Sequence, residues 1–112
     1  GGVVTLTGDS RIVRCVAAMF GGGVYGDSAS AIALNGSATI EDCSAEQDEG
    51  GGIFVYTGGI VTLTGDSRIA RCAAALYGGG VFGDSDSAIA LNGNATIENC
   101  SAEDGGGIYV HT

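Results

Sequence analysis

The 112-residue chain contains no lysine and no proline, and four arginines stand against 13 acidic residues. The formal net charge of −9 excludes nucleic acid as a partner, because phosphate binding requires a basic face. No apolar run approaches the roughly 18 residues that a spanning helix needs, so we expect no membrane insertion. An initiating methionine and a signal peptide are also missing, which predicts an internal or processed segment.

Glycine fills 22 positions but shows no three-residue period, which excludes a collagen-like chain. Apolar residues make up 45% of the sequence, too many for a disordered linker. Val, Ile and Thr are common, which favours strands. Helices are disfavoured because no 3.6-residue apolar pattern persists and glycine runs interrupt the chain.

Two copies of one repeat make up the chain, residues 1–57 and residues 58–112. Over their first 45 positions the two copies differ at only nine. Each copy divides again at a shared cysteine. Spacings of 28, 29 and 28 residues separate Cys15, Cys43, Cys72 and Cys100. The unit is therefore about 28 residues long and occurs four times.

Each unit holds three short alternating segments, which are VVTLTG, SRIVRC and GGVYG in the first unit. Three strands per turn are typical of a parallel β-helix, in which every rung pairs with the rungs above and below. The usual crossover preference favours a right-handed coil. We therefore predict an all-β, right-handed parallel β-helix (a β-solenoid) with four rungs, three short strands per rung and uncapped ends.

The recurring motif GGG-[VI]-[YF], beside I-x-x-C, resembles the GGA[ILV] and FxxN signatures of the polymorphic outer-membrane-protein type of β-helix repeat. It also resembles the pectin-lyase-like, adhesin-like repeats of surface proteins. The resemblance implies a surface adhesin or scaffold, with an extracellular or cell-surface location. Cysteine stands where that family has asparagine, so a sulfur column replaces the family's amide ladder.

Equivalent residues of stacked rungs form columns, and the cysteine column is compatible with two states. The four residues are either buried thiols that pack as small apolar groups, or they form disulfides between adjacent rungs, such as Cys15–Cys43 and Cys72–Cys100. Zinc is disfavoured because a straight stack does not converge tetrahedrally.

An aromatic column is predicted on the outer face, consisting of Tyr25, Phe54, Phe82 and Tyr109. Its rings either cover the glycine-rich surface or offer a platform for a glycan or another fibre. The loops before alternate GGG motifs carry apolar pairs, which are Met19 with Phe20 and Leu76 with Tyr77. These pairs either fold over the coil or contact a neighbouring chain laterally.

Charge alternates along a further column of Arg14, Asp42, Arg71 and Asn99, and a second column holds Arg11 and Arg68 with Thr39 and Thr96 between them. Exposed ion pairs contribute only about 0–1 kcal/mol each. We therefore expect these columns to hold the register of the rungs. Three N-x-[ST] sequons make Asn35, Asn94 and Asn99 possible N-glycosylation sites.

The sequence contains little that indicates a catalytic site. His111 is the single histidine and is predicted to be an exposed strand residue. Asp84 with Asp86, or Asp48 with Glu49, offers a weak possibility of calcium, although solvated acids fit these segments better. A degenerate polysaccharide lyase and an ice-binding protein are remote alternatives: the first lacks a spare base, and Ala33-Leu34-Asn35 interrupts the threonine arrays of the second.

The coil exposes strand edges and apolar core at both ends, and no polar cap is visible in the sequence. We expect further copies of the chain, or flanking repeats, to stack on these ends. The favoured function is a structural, non-catalytic building block of an extracellular fibre, surface appendage or adhesin stalk. The alternative is a carbohydrate-binding module that uses the aromatic column.

Overall fold

The computed structural model describes residues 1–111, which form short strands joined by tight corners. Rung 1 contains β1 (Val3–Leu6), β2 (Arg11–Val13), β3 (Val16–Ala17) and β4 (Val24–Gly26). Rung 2 contains β5 (Ala31–Leu34), β6 (Thr39–Glu41), β7 (Ser44–Ala45) and β8 (Ile53–Val55). Rung 3 contains β9 (Ile60–Leu63), β10 (Arg68–Ala70), β11 (Ala73–Ala74) and β12 (Val81–Gly83). Rung 4 contains β13 (Ala88–Leu91), β14 (Thr96–Glu98) and β15 (Ile108–Val110).

Equivalent strands stack into four parallel sheets, β1-β5-β9-β13, β2-β6-β10-β14, β3-β7-β11 and β4-β8-β12-β15. The register places each residue on its equivalent one unit later, so that Leu34 lies between Leu6 and Leu63. The predicted β-solenoid of four rungs is confirmed, and residues some 28 apart are stacked neighbours. Among residues 1–111, no helix is long and apolar enough to cross a membrane.

The three predicted strands are present in every rung, and the segment SRIVRC forms one of them, β2, in rung 1. Beyond β2, Arg14 turns the chain with a φ of 55°. The two-residue strand β3 follows after Cys15. The same corner occurs in every rung, with positive φ at Arg14, Asp42, Arg71 and Asn99. Each rung therefore has an additional short side, which is reduced in rung 4 to a bridge between Ser101 and Ala73.

The core is a set of inward-facing columns of aliphatic side chains. Leu34, Ile40, Ile53 and Leu63 are fully buried in the two central rungs. The last residues of β4, β8 and β12 form a column in which side-chain size alternates, because Val55 is stacked between Gly26 and Gly83. A Cβ at Gly26 would come within 3.2 Å of Val55 and 3.3 Å of Ile32, so this column holds one large side chain for every two rungs.

Each of the three positions in a GGG motif requires glycine for a different structural reason. The first, such as Gly50, turns the chain with a φ of 72°. A Cβ on the second, Gly51, would lie 2.4 Å from the carbonyl oxygens of both Ala73 and Gly79 in the next rung. A Cβ on the third, Gly52, would lie 2.6 Å from the carbonyl oxygen of Gly80. The motif thus recurs because adjacent rungs approach each other through backbone alone.

Gly51→Ala should prevent rungs 2 and 3 from stacking, because its Cβ has backbone atoms at 2.4 Å and no flexible side chain to displace. We expect the free energy of unfolding to fall by about 4 kcal/mol or more. Urea denaturation followed by circular dichroism measures this change. Gly107→Ala is the control, since the nearest atom to its Cβ is Ile97 Cγ2 at 3.8 Å. Equal stability of the two variants would contradict the close-approach explanation.

Candidate functional site

The predicted aromatic column forms a continuous stack of four nearly parallel rings. Successive centroids lie 5.2, 5.1 and 5.6 Å apart, with interplanar angles of 4°, 7° and 6°. The stack consists of Tyr25, Phe54, Phe82 and Tyr109. The spacing follows from the strand separation of about 4.8 Å, which places one ring per rung over the next.

The central rings of this stack are not an open platform. Tyr25 is 51% exposed at one end, but Phe54 and Phe82 are each only 4% exposed. Phe20, from the loop before the first GGG motif, packs against Phe54, and Phe82 is stacked between Phe54 and Tyr109. The rings point outward from the coil, as predicted. They do not form a flat surface on which a sugar could stack, because the two central rings are buried.

The apolar loop pairs divide into one covering residue and one outer residue. Phe20 packs against Phe54 with ring centroids 4.8 Å apart, and Tyr77 stacks on Tyr109 at 4.7 Å. Leu76 is half-buried, whereas Met19 is 48% exposed. The aromatic member of each pair thus folds over the coil, and a lateral contact through Met19 and Leu76 stays a prediction.

A cleft of about 320 Å³ opens over the aromatic stack. Tyr25, Phe54 and Phe82 form its floor, and Phe20 and Glu49 form one side. We call it the aromatic cleft. Phe20 and Glu49 occupy equivalent positions directly before Gly21 and Gly50, so the loop that is aromatic in rung 1 supplies a carboxylate in rung 2.

The opposite side of the aromatic cleft consists of Tyr56, Asp84 and His111. These residues follow equivalent strands, so they form a column of their own beside the rings. The His111 Nδ1 lies 3.4 Å from the Asp84 Oδ1, and the Thr57 hydroxyl donates to Asp84 Oδ2 at 3.5 Å. His111 is thus exposed as predicted, but it also pairs with a carboxylate.

Glu49 has a different environment from Asp84. Its carboxylate makes no hydrogen bond or ion pair with any residue in the described range 1–111. Burial raises the pKa of the Glu49 carboxyl, and the negative charges of Asp48 and Asp84 raise it further. His111 acts in the opposite direction. The cleft therefore carries an uncompensated negative charge in a partly desolvated position.

Sequence reasoning identified the rings of this site but missed the residues on both of its sides. The repeat register contains the information that places the second side. Two positions after the rings Phe54, Phe82 and Tyr109 come Tyr56, Asp84 and His111. Alternate positions on one strand face the same side of a sheet. The single histidine and the loop glutamate have no periodic equivalents of the same type, so the repeat pattern alone does not point to His111 or Glu49.

The cysteine column is stacked as predicted, and its four members are free thiols in the structure. Each sulfur points at the carbonyl oxygen two residues earlier, for example Cys43 Sγ at 3.4 Å from Glu41 O. The positive-φ corner just before each cysteine turns that carbonyl toward the sulfur. Cys43 and Cys72 are buried and Cys15 and Cys100 are half-buried, and both the thiol and the disulfide alternatives stay predictions.

The thiols differ in their ionisation along the column. Burial raises the pKa of Cys43. A hydrogen bond to the Cys100 sulfur, together with burial, raises the pKa of Cys72. Accepting that bond lowers the pKa of Cys100 to about 7. The Cys72 backbone N–H also donates to the Cys100 sulfur at 3.4 Å. Of these three thiols, Cys100 therefore ionises first.

The two charge columns meet at a residue that sequence reasoning did not single out. Glu41 accepts hydrogen bonds from Arg11 of rung 1 and from Arg71 of rung 3, the latter at 3.1 Å. Its side chain is only 11% exposed. Arg71 also pairs with Asp42 at 2.8 Å, as the predicted alternation of charge requires. Glu41 thus joins three consecutive rungs.

Glu98 is the equivalent of Glu41 in rung 4 and has only one of these two partners. Arg68 of rung 3 donates to it at 2.8 Å. Among residues 1–111, no second arginine pairs with Glu98, because rung 4 is the last described rung. At the other end of the coil, Arg14 makes no ion pair with any residue from 1 to 111. The charge ladder therefore has an open acceptor at one end and an open donor at the other.

Both end faces leave core columns uncovered. Leu91 is 39% exposed in rung 4, whereas its equivalent Leu63 is fully buried in rung 3. Val110 is 42% exposed against 0% for Val55. In rung 1, Val4 is 38% exposed. Exposed columns of this kind, beside unpaired strand edges, are surfaces on which another rung of the same type can pack.

The possible modification and metal sites are simple to place. Asn94 and Asn99 are exposed, whereas the half-buried Asn35 accepts a hydrogen bond from the Thr64 hydroxyl at 2.7 Å. Within residues 1–111, no group of three or more His, Cys, Asp and Glu side chains is arranged to hold a metal ion. The acidic segments considered for calcium are among the residues searched.

Comparison of the chain with protein-family models, with curated proteins and with solved structures found no match. Its function is therefore argued from its own residues, and two features of the molecule carry chemistry. One is the pair of end faces, and the other is the aromatic cleft.

Cys100 should react with iodoacetamide at least about ten times faster than Cys43 or Cys72 at pH 7.5, because it ionises first and lies at the end of the column. Peptide mapping by mass spectrometry after timed labelling measures the three rates. Cys100→Ser should leave the slow labelling of Cys43 unchanged. Equal rates at all positions would contradict this description of the thiol column.

Glu41 should make the stability of the coil depend on acid pH. The hydrogen bond from Arg11, followed by the charges of Arg11 and Arg71, lowers its pKa from the ordinary 4.5 in the folded state, despite burial. A depressed pKa stabilises the fold above pH 4.5, and this stabilisation is lost as the pH falls through the folded-state pKa. We expect Glu41→Gln to lower the free energy of unfolding by about 2 kcal/mol at pH 7.

Urea denaturation of the wild type and of Glu41→Gln between pH 3 and pH 7 measures this effect. The two stabilities should converge as the pH falls. The exposed Glu46, on the loop after β7, provides the control variant Glu46→Gln. A constant difference between wild type and Glu41→Gln at all pH values would contradict the role of the ionised carboxylate.

Proposed function

We propose that this chain is a structural, non-catalytic building block of an extracellular fibre, surface appendage or adhesin stalk. Rungs of the same kind stack on its two end faces in register, and for this chain the occupant of each end face is a second copy. A flanking repeat in one polypeptide would fill the same surface in the same way. The single observation that supports this proposal most strongly is the complementarity of the end faces.

The complementarity is first electrostatic. Inside the coil, Glu41 takes one arginine from the rung on each side. At the end of the coil, Glu98 has one arginine and Arg14 has no partner within the described residues. A second copy placed after rung 4 would bring its Arg14 to the position that Arg71 occupies over Glu41. The sign of charge therefore favours head-to-tail stacking of copies.

The complementarity is also steric. Rungs 1 and 3 are of one type and rungs 2 and 4 of the other, so rung 1 of a second copy continues the alternation after rung 4. The exposed Val110 would then be followed by Gly26 of the second copy, as Val55 is followed by Gly83. A contact that repeats without closing generates fibres.

The likeness of the GGG-[VI]-[YF] and I-x-x-C motifs to repeats of surface adhesins supports an extracellular location. The high acidic excess supports solubility of an extended particle, since like charges on separate particles repel. The carbohydrate-binding alternative loses support from the burial of Phe54 and Phe82, because a sugar ring needs an open aromatic face.

Assembly should therefore depend on the third glycine of the last GGG motif. Gly107 has an open Cβ position, but the equivalent positions at Gly52 and Gly80 each meet a carbonyl oxygen of the next rung at 2.6 Å. Gly107→Ala should fold normally and fail to accept another rung. Sedimentation velocity over a concentration series and negative-stain electron microscopy measure the assembly of wild type and variant.

Gly80→Ala is the matched contrast, since the same change inside the coil should destabilise the fold itself. A wild-type chain that stays a monodisperse monomer at about 1 mM would overturn end-to-end stacking. Equal assembly of the wild type and a folded Gly107→Ala variant would also overturn it.

Arg14→Asn tests the charge contribution separately. Asparagine tolerates the positive φ at this corner and already occupies the equivalent position at Asn99, so the fold should be kept. We expect assembly to weaken about three- to tenfold, because an exposed ion pair contributes about 1 kcal/mol. The difference between wild type and Arg14→Asn should disappear in 1 M salt, where the ion pair is screened. Equal assembly of wild type and variant at low salt would show that charge does not select the partner.

A further inference from the structure

The aromatic cleft combines three features that the end faces do not explain. It has a volume of about 320 Å³, and the rings of its floor present their edges, because their faces are stacked on one another at 5.1 to 5.2 Å. It holds one carboxylate, Glu49, that has no partner in the described part of the chain. It lies on the outer face of the coil, so stacking of rungs on the ends leaves it open.

The charge in the aromatic cleft is negative and poorly compensated. Asp84 has His111, the Thr57 hydroxyl and the Ser85 hydroxyl as neighbours. Glu49 has none of these contacts, and no arginine lines the cleft. The chain contains no lysine that a rearranged loop could supply. A half-buried carboxylate of this kind is stabilised by a cation that enters from solvent.

The walls indicate which kind of cation fits. A metal ion requires several oxygen or nitrogen ligands around one point, and no such group of three side chains occurs among residues 1–111. Aromatic side chains provide most of the lining, namely Phe20, Tyr25, Phe54, Tyr56 and Phe82. Aromatic rings attract organic ammonium groups through their negative faces, and the attraction is larger where water is excluded. Phe20 and Tyr56 are tilted by 38° and 52° against Phe54, so they are the lining rings whose faces the stack does not occupy.

We propose that the aromatic cleft binds a small organic ammonium cation, with Glu49 as its counter-charge, the rings of Phe20 and Tyr56 as its walls and the edges of the stacked rings as its floor. Asp84, oriented by His111 and Thr57, supplies a second carboxylate on the opposite side. The ligand charge is complementary to the cleft and to the whole chain, whose net charge is −9. This proposal does not depend on end-to-end stacking.

Titration with choline tests the proposal, because choline carries a quaternary ammonium group of suitable size. The neutral isostere 3,3-dimethylbutan-1-ol is the matched ligand, and sodium chloride at equal ionic strength is the blank. Two-dimensional NMR of labelled protein reports which residues shift. We expect a choline dissociation constant on the order of 1 mM, with shifts around Glu49, Tyr56 and Asp84, and at least tenfold weaker binding of the isostere.

Two variants separate charge from shape. Glu49→Gln keeps the size of the side chain and should weaken choline binding about tenfold, since it removes the unpaired charge. Tyr56→Leu keeps an apolar surface, removes a ring, and should weaken binding about threefold. Tyr56 is 44% exposed, so the fold should tolerate this change. Glu46→Gln is the control, because the exposed Glu46 lies on the same loop but does not line the cleft.

Equal binding of choline and its isostere would overturn the proposal, because it would show an apolar pocket without charge selection. Choline binding that Glu49→Gln does not weaken would overturn it as well. Binding of the neutral disaccharide cellobiose at these residues, unaffected by Glu49→Gln, would assign the cleft to carbohydrate instead. An absence of any shift at choline concentrations up to about 100 mM would exclude the ammonium site.

Discussion

In-register parallel stacking is the constraint on which the rest of this molecule depends. Backbone N–H groups of one rung donate to carbonyl groups of the next along all sides of the coil, including the GGG segments, where Gly52 N–H donates to the carbonyl oxygens of Gly79 and Gly80. Because the strands are only about 4.8 Å apart, every side chain contacts its own equivalents. Each position must therefore tolerate a similar residue directly above and below it.

The chain meets this requirement by three different means. Where backbones approach most closely, it uses glycine, since a Cβ at Gly51 or Gly79 would overlap a carbonyl oxygen. Where side chains are flat, it stacks them, as in the aromatic column. Where side chains are charged or large, it alternates two types of rung, so that Glu41 lies between arginines and Val55 lies between glycines. The two-rung repeat is the smallest unit that permits such alternation.

The same constraint separates the two functional surfaces. The end faces are built from backbone edges and core columns, and they are complementary because the alternation continues from rung 4 to rung 1. The aromatic cleft is built from side chains that point away from the core, and its shape depends on loops between β3 and β4 and between β7 and β8. The backbone of those loops belongs to the ladder, since Gly21 N–H donates to Glu49 O and Leu76 N–H donates to Asp48 O. Only a change of their outward side chains can therefore alter the cleft without altering the stacking surface.

Much of the architecture was determined by the sequence itself. The 28-residue recurrence of leucine, isoleucine, cysteine and the GGG motif predicted the four rungs, the core columns and the aromatic column, because a periodic sequence can satisfy a stacked coil only in one register. Tertiary structure alone decided three further features. The corner at Arg14 adds a short side that the periodicity did not predict, since nothing local in an arginine favours positive φ and only the closed path of the rung imposes it. Burial of Phe54 and Phe82 depends on loop side chains that fold back from another position in the rung, and no periodicity describes that path. Glu41 and Glu49 have opposite pKa shifts although both are glutamates in rung 2, because one has arginines on both sides and the other faces aromatic rings and further carboxylates.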